Sequence, residues 1–141
     1  MLRRTLSVLT SLLILQYAHV ASATEDSISL TFLGTGAPRP SLDRYGPSIL
    51  VEAGSQRLLV DAGPGMRERL FQAGGFELLT DINLILLTHL HFDHTISVPG
   101  LWLTGWLFGR KSPMTVYGPE GTSNMMNNFE ELMDGLSAFI E

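Results

Sequence analysis

The sequence predicts an α/β domain, and three observations carry that expectation. Short apolar runs that read as strands alternate with longer runs that read as helices. Glycine and proline punctuate the joins between them, so most runs have a visible end. The run Leu84-Ile85-Leu86-Leu87 reads as a strand buried on both faces, yet it leads straight into a polar cluster. Polar residues gathered at the end of a buried strand usually serve a site.

The first residues stand apart from this domain. Arg3 and Arg4 precede an apolar run from Leu6 to Leu15, and Ala21-Ser22-Ala23 and the acidic Glu25-Asp26 come after it. A charged start, a short apolar middle and an Ala-x-Ala end make a secretory signal peptide over residues 1–23. The apolar run is too short to span a bilayer comfortably, so no stable membrane span is expected. The protein should therefore be exported, to a periplasm or to the medium, with residues 24–141 carrying the domain. Cleavage would take the formal charge from −5 to −7, since Arg3 and Arg4 go and no acid does. An acidic mature chain is a poor partner for phosphate backbones, so nucleic acid is not the expected ligand. The absence of cysteine excludes both disulfide support and thiolate metal sites.

Within the domain, Ile28 to Leu33 reads as a first strand that Gly34-Thr35-Gly36 ends. The loop from Ala37 to Gly46 holds Pro38, Pro40, Asp43 and Arg44, which is turn chemistry. Ser48 to Ala53 and Arg57 to Val60 read as a hairpin joined through Gly54-Ser55-Gln56. Asp61 closes that hairpin, and Gly63-Pro64-Gly65 lets the backbone turn tightly after it. Met66 to Ala73 reads as a short helix stopped by Gly74-Gly75. After the strand at 84–87 comes a helix from Ile96 to Phe108, with Pro99 tolerated near its start. Trp102 and Trp106 share a face there with Leu103 and Leu107 beside them, a stripe expected to be core. Gly109 ends the helix, and Arg110-Lys111 suits its negative end as helix-end charge. Met114 to Tyr117 is a further strand. From Glu120 a last helix offers Phe129, Leu132, Met133, Leu136 and Phe139 as apolar contacts.

The candidate site is Thr88-His89-Leu90-His91-Phe92-Asp93-His94, which holds three of the chain's four histidines. His89 and His91 are two apart, so on extended backbone both side chains leave one face and reach one point. Asp93 and His94 come next, where the chain should turn, and neighbours on a turn aim in different directions. The cluster can thus feed two adjacent positions with imidazole nitrogen and carboxylate oxygen. That is the ligand chemistry of zinc, and equally of iron or manganese.

His-x-His-x-Asp-His after an apolar strand resembles the metallo-β-lactamase superfamily. The resemblance extends to Phe32-Leu33-Gly34-Thr35-Gly36-Ala37-Pro38, to Leu59-Val60-Asp61-Ala62-Gly63-Pro64-Gly65 and to Val116-Tyr117-Gly118-Pro119. Together these look like the branch that holds ribonuclease Z and the related arylsulfatase-like hydrolases. The resemblance implies the N-terminal half of an α/β/β/α sandwich, two sheets face to face with helices outside. Residues 24–141 would be an incomplete domain whose C-terminal half, with its further metal ligands, is absent. It also implies two divalent metal ions, zinc first, with His89 and His91 on one and Asp93 and His94 on the other. Asp93 would be catalytic as well, orienting the attacking water and collecting its proton, and Asp61 would support the ligands from behind. In the family many members carry a glycine near the position of Ser97, which puts the placing of His94 in question.

The function this implies is that of a metal-dependent hydrolase, similar to ribonuclease Z in sequence but exported. A processing nuclease has no pre-tRNA substrate outside the cytoplasm, so the expected substrate is a small ester. Sulfate esters, phosphate esters, thioesters and lactones all qualify, and the full-length protein could pair as a homodimer. Two readings of other kinds remain beside this one: a non-catalytic metal-binding fragment, and a thioesterase similar to glyoxalase II.

Overall fold

The computed structural model describes residues 27–137, with side chains described as far as residue 134. The expected leader over residues 1–23, the side chain of Leu136 and the whole of Phe139 lie outside that range. Nine elements succeed one another: β1 (Ile28–Gly34), β2 (Ser48–Ala53), β3 (Gln56–Val60), α1 (Met66–Asp81), β4 (Leu84–Leu86), α2 (Phe92–Thr95), α3 (Val98–Leu107), β5 (Thr115–Tyr117) and α4 (Thr122–Ser137). The five strands make one sheet in chain order, β1 to β5. β1, β2 and β3 are antiparallel neighbours, whereas β3, β4 and β5 run parallel. Helical crossovers are what parallel neighbours require, and α1 and α3 supply them. No helix among the described residues is long and apolar enough to cross a membrane.

The strand pattern decides which face is covered. Leu33, Leu50, Leu59 and Ile85 point to one side and are buried, where they meet Met66, Leu70, Leu78, Leu79, Val98 and Leu101 from the helices. Alternate residues point to the other side. There Ile28, Leu30, Phe32, Leu86 and Tyr117 stand exposed, with Leu30 57 % and Phe32 63 % accessible. The register places Leu30 beside Val51, Phe32 beside Ile49, Val60 beside Leu86, and Leu86 beside Tyr117, so these residues form one continuous apolar surface. The architecture is therefore one sheet and one helical layer, two of the four layers expected for the sandwich.

Four expectations need correction or extension. Gly74-Gly75 ends the helical segment that begins at Met66, as expected, but a second segment that the sequence did not suggest follows it within α1. Both residues leave helical geometry, Gly75 with φ +66° and ψ −156°, and the helix resumes to Asp81 after a kink. Phe76, Leu78 and Leu79 supply enough apolar contact with the rest of the layer to restart it. Leu86 is not buried, because no layer among the described residues covers the second face of β4. The tryptophan stripe is not core either: α3 buries Val98, Pro99, Leu101 and Gly105, which leaves Trp106 56 % exposed. Trp102 and Leu103 are half-buried, while Trp106 and Leu107 are exposed.

Arg110 is the fourth. It comes directly after Gly109, whose φ of +86° is the left-handed turn that favours glycine after a helix. Its guanidinium does not stand in solvent but turns back between the helices. Nη2 donates to Leu79 O at 3.0 Å and to Leu101 O at 3.2 Å. Gly105 leaves the space for this, since a Cβ there would collide with the guanidinium. Burial draws the Arg110 pKa below its ordinary value, because the charge loses solvent. The residue ties α1 to α3.

Candidate metal centre

β3 and β4 end side by side, and the candidate site is built on the segments that leave their C-terminal ends. Asp61 leaves β3 with φ +61°, a left-handed conformation that is uncommon for a residue with a side chain. Its own N–H continues the ladder to Leu86 O at 2.8 Å, and Ser48 Oγ donates to its carbonyl at 2.9 Å. These two bonds hold the turn, and the turn aims the buried carboxylate across the sheet edge toward the residues after β4. The loop beyond is knitted to α2 by its backbone: Ala62 N donates to His94 O at 2.7 Å, and Ser97 N to Ala62 O at 3.0 Å. Gly63 lies so near Asp93 that a Cβ would stand 2.5 Å from the Asp93 carbonyl oxygen. Only glycine fits there.

Ser97 adds to this frame. Its Oγ donates to Gly63 O at 2.8 Å, a bond that glycine could not make. The loop that carries His94 is thus fastened at Ala62 and Gly63 with serine at this position.

The five residues singled out in the sequence meet at this corner. The His89 Nε2 and His91 Nδ1 atoms face each other at 3.1 Å, and the His89 and His94 rings lie 4.0 Å apart between centroids. Asp93 sits in the first turn of α2, 4 % exposed, with Oδ2 3.7 Å from His94 Nε2. That separation is too long for a hydrogen bond. Asp61 lies beneath. Its Oδ2 accepts from His94 Nδ1 at 2.8 Å, while Thr88 donates to the same carboxylate through both its N–H (2.8 Å) and its hydroxyl (2.8 and 3.0 Å).

The donor set can be tested against a cation. Imidazole nitrogen and carboxylate oxygen bind zinc at about 2.0–2.2 Å, so two ligands of one ion stand no more than about 4.4 Å apart and roughly 3.3 Å apart at a tetrahedral angle. The His89–His91 pair at 3.1 Å and the Asp93–His94 pair at 3.7 Å both satisfy this. His94 must also present the correct nitrogen. A carboxylate only accepts, so the Asp61 contact keeps the proton on Nδ1 and leaves the Nε2 lone pair facing Asp93. Among the described residues no three histidine, cysteine, aspartate or glutamate side chains gather to hold one ion. The residues fit a pair of two-donor positions.

Thr88 is the participant that the sequence did not single out. It belongs to the motif stretch, but a threonine before a histidine carries no ligand signal by itself. The only hint was its place, the first hydroxyl after an apolar strand and directly before the first histidine.

Comparison with known proteins agrees with this architecture. Residues 28–136 match the family described as anti-Pycsar protein Apyc1. Ribonuclease Z of Bradyrhizobium diazoefficiens is 43 % identical over 99 residues, covering 70 % of this chain and 32 % of that protein. Ribonuclease Z of Mycobacterium marinum is 40 % identical over 103 residues, covering 71 % and 36 %. Among solved structures, the short form of human tRNase Z superposes with a TM-score of 0.66 at 32 % identity, covering 77 % of this chain and 40 % of that one. The metallo-β-lactamase fold protein YhfI of Bacillus subtilis shares the fold, with a TM-score of 0.63 at 21 % identity over 73 % of this chain and 42 % of that one. The chain spans about a third of the length of these curated relatives.

Proposed function

The chain belongs to the family of the anti-Pycsar protein Apyc1, within the metallo-β-lactamase superfamily, and from that membership we propose that it carries the first half of a two-metal phosphoester hydrolase. His89 Nε2 and His91 Nδ1 would hold one divalent ion, and Asp93 and His94 Nε2 the other, zinc being the first choice for such donors. When bound, the ions would lower the pKa of water toward neutrality and polarise the phosphoryl oxygen, leaving phosphorus more open to attack. Asp93 faces the same corner from a fixed helical turn, where its carboxylate can orient a water and accept the proton it loses. Asp61 holds His94 in the ligating tautomer, and the loop bonds at Ala62 and Gly63 keep α2 in place against it. The observation that carries this reading is the pairing of four donors over one buried carboxylate.

The substrate expectation narrows to a phosphoester. Ribonuclease Z relatives are by name enzymes of RNA, whose cleaved bond is a phosphodiester. The acidity of this chain and its leader-like residues 1–23 favour a small, exported-side phosphodiester over a long RNA. A second reading, metal binding without catalysis, is favoured by the two donors that the described residues supply to each position.

The test is His91→Ala in a protein carrying this half, read by elemental analysis after gel filtration and by hydrolysis of a chromogenic phosphodiester. Both should fall together, metal by at least about tenfold in affinity as expected for a lost ligand. Full metal content in the variant would remove His91 from the site. Metal bound by the unsubstituted protein, without hydrolysis, would favour the second reading.

A further inference from the structure

We propose that Thr88 is a positioning residue whose hydroxyl relays the Asp61 carboxylate to His89, fixing the His89 proton on Nδ1 and freeing Nε2 for a cation. The inference rests on the reading of His89 as a metal ligand and extends it to a residue with no ligating atom of its own.

A count of protons leads to this assignment. Thr88 Oγ1 stands 2.8 and 3.0 Å from the two Asp61 oxygens and 3.0 Å from His89 Nδ1. A hydroxyl has one proton to give, and carboxylate oxygens can only accept. If that proton goes to Asp61, the contact with His89 requires a proton from the ring, so Nδ1 must carry it. If Nδ1 were bare, the hydroxyl would have to serve His89 instead, and its oxygen would face the two carboxylate oxygens without a proton between them. The first arrangement satisfies every contact. It is also the one in which His89 Nε2, the atom facing His91, keeps its lone pair.

The hydroxyl is not needed to hold the backbone. Thr88 N–H makes its own 2.8 Å bond to Asp61 Oδ1, and the residue lies toward solvent. Loss of the hydroxyl should therefore act on the ring next to it and not on the strand. One carboxylate would then set two of the three imidazoles, His94 directly and His89 through one intervening hydroxyl. A ligating histidine is normally oriented by a partner on its other nitrogen, and Thr88 supplies that partner here.

The experiment uses the 141-residue chain with ¹⁵N-labelled histidine, metal-free and slightly above neutral pH, as wild type, Thr88→Ser and Thr88→Val. Imidazole ¹⁵N shifts report which nitrogen of His89 is protonated, and a zinc titration reports affinity. Wild type and Thr88→Ser should both show His89 protonated on Nδ1, while Thr88→Val should shift toward Nε2–H. Zinc affinity should fall about 10–100-fold in Thr88→Val and return in Thr88→Ser. His89 protonated on Nε2 in the wild type would overturn the proposal without recourse to any variant. So would an unchanged tautomer in Thr88→Val, or a serine variant that behaves like valine. Should the tautomer pattern hold while the wild type takes up no zinc, the relay would stand and the metal reading would fall.

Discussion

The two faces of the sheet are made of nearly the same residue types and meet opposite surroundings. On one face Leu33, Leu50, Leu59 and Ile85 are sealed under α1 and α3; on the other Ile28, Leu30, Phe32, Leu86 and Tyr117 stand in the open. Leucine and isoleucine sit on both, so composition does not separate them. The period of two along each strand does, because it sends neighbours to opposite sides. The candidate metal corner sits on the edge shared by both faces. Its supports come from the covered side and from the loops, where Ser48, Gly63 and Ser97 fasten the turns that carry Asp61 and His94. The side chains that brace the site thus lie on the sealed side and in the loops.

That contrast can be broken most severely at Leu59. It is fully buried between β2, β4 and the helices, and Leu59→Ala should cost about 2–5 kcal/mol in urea unfolding, the range for a core leucine whose cavity does not collapse. A cost near zero would mean that the helical layer is loosely held. Arg110→Ala should come next, at about 1–2 kcal/mol, because Leu79 O and Leu101 O lose a charged donor. The loss is moderated because Nε and Nη1 of Arg110 are buried without partners and their burial penalty disappears with them. A stability unchanged by this variant would return Arg110 to the role of a helix-end charge. The smallest effect belongs to the open face. Leu30→Thr keeps a strand-forming residue and should change stability by less than about 0.5 kcal/mol, while lowering the binding of a fluorescent hydrophobic dye. A large loss of stability there would show that something already covers that face.

Much of this was legible in the residues. The five strands fall close to the runs read as strands, and the histidine motif follows β4 as its position requires. The errors have specific causes. Two glycines in succession look like a stop, yet a helix can restart when the next residues find a surface to bury against, as Leu78 and Leu79 do. Trp102 and Trp106 look like core by area alone, but α3 buries the face that carries Leu101 and Gly105. Arg110 looks like a helix-end charge because nothing in the linear chain shows that Leu79 O and Leu101 O come within its reach.

The sequence by itself determined the order of the elements, the donor chemistry at the candidate site and the resemblance to the metallo-β-lactamase superfamily. Each of these depends on residue type and short spacing, which are local properties. Only the tertiary structure decided which face of the sheet is covered, that Asp61 reaches both His94 and Thr88 across 33 and 27 residues, and that Thr88 stands between a carboxylate and an imidazole. These are contacts between distant segments. They depend on where β3 and β4 end in space, and a hydrogen bond has a direction that no spacing along the chain encodes.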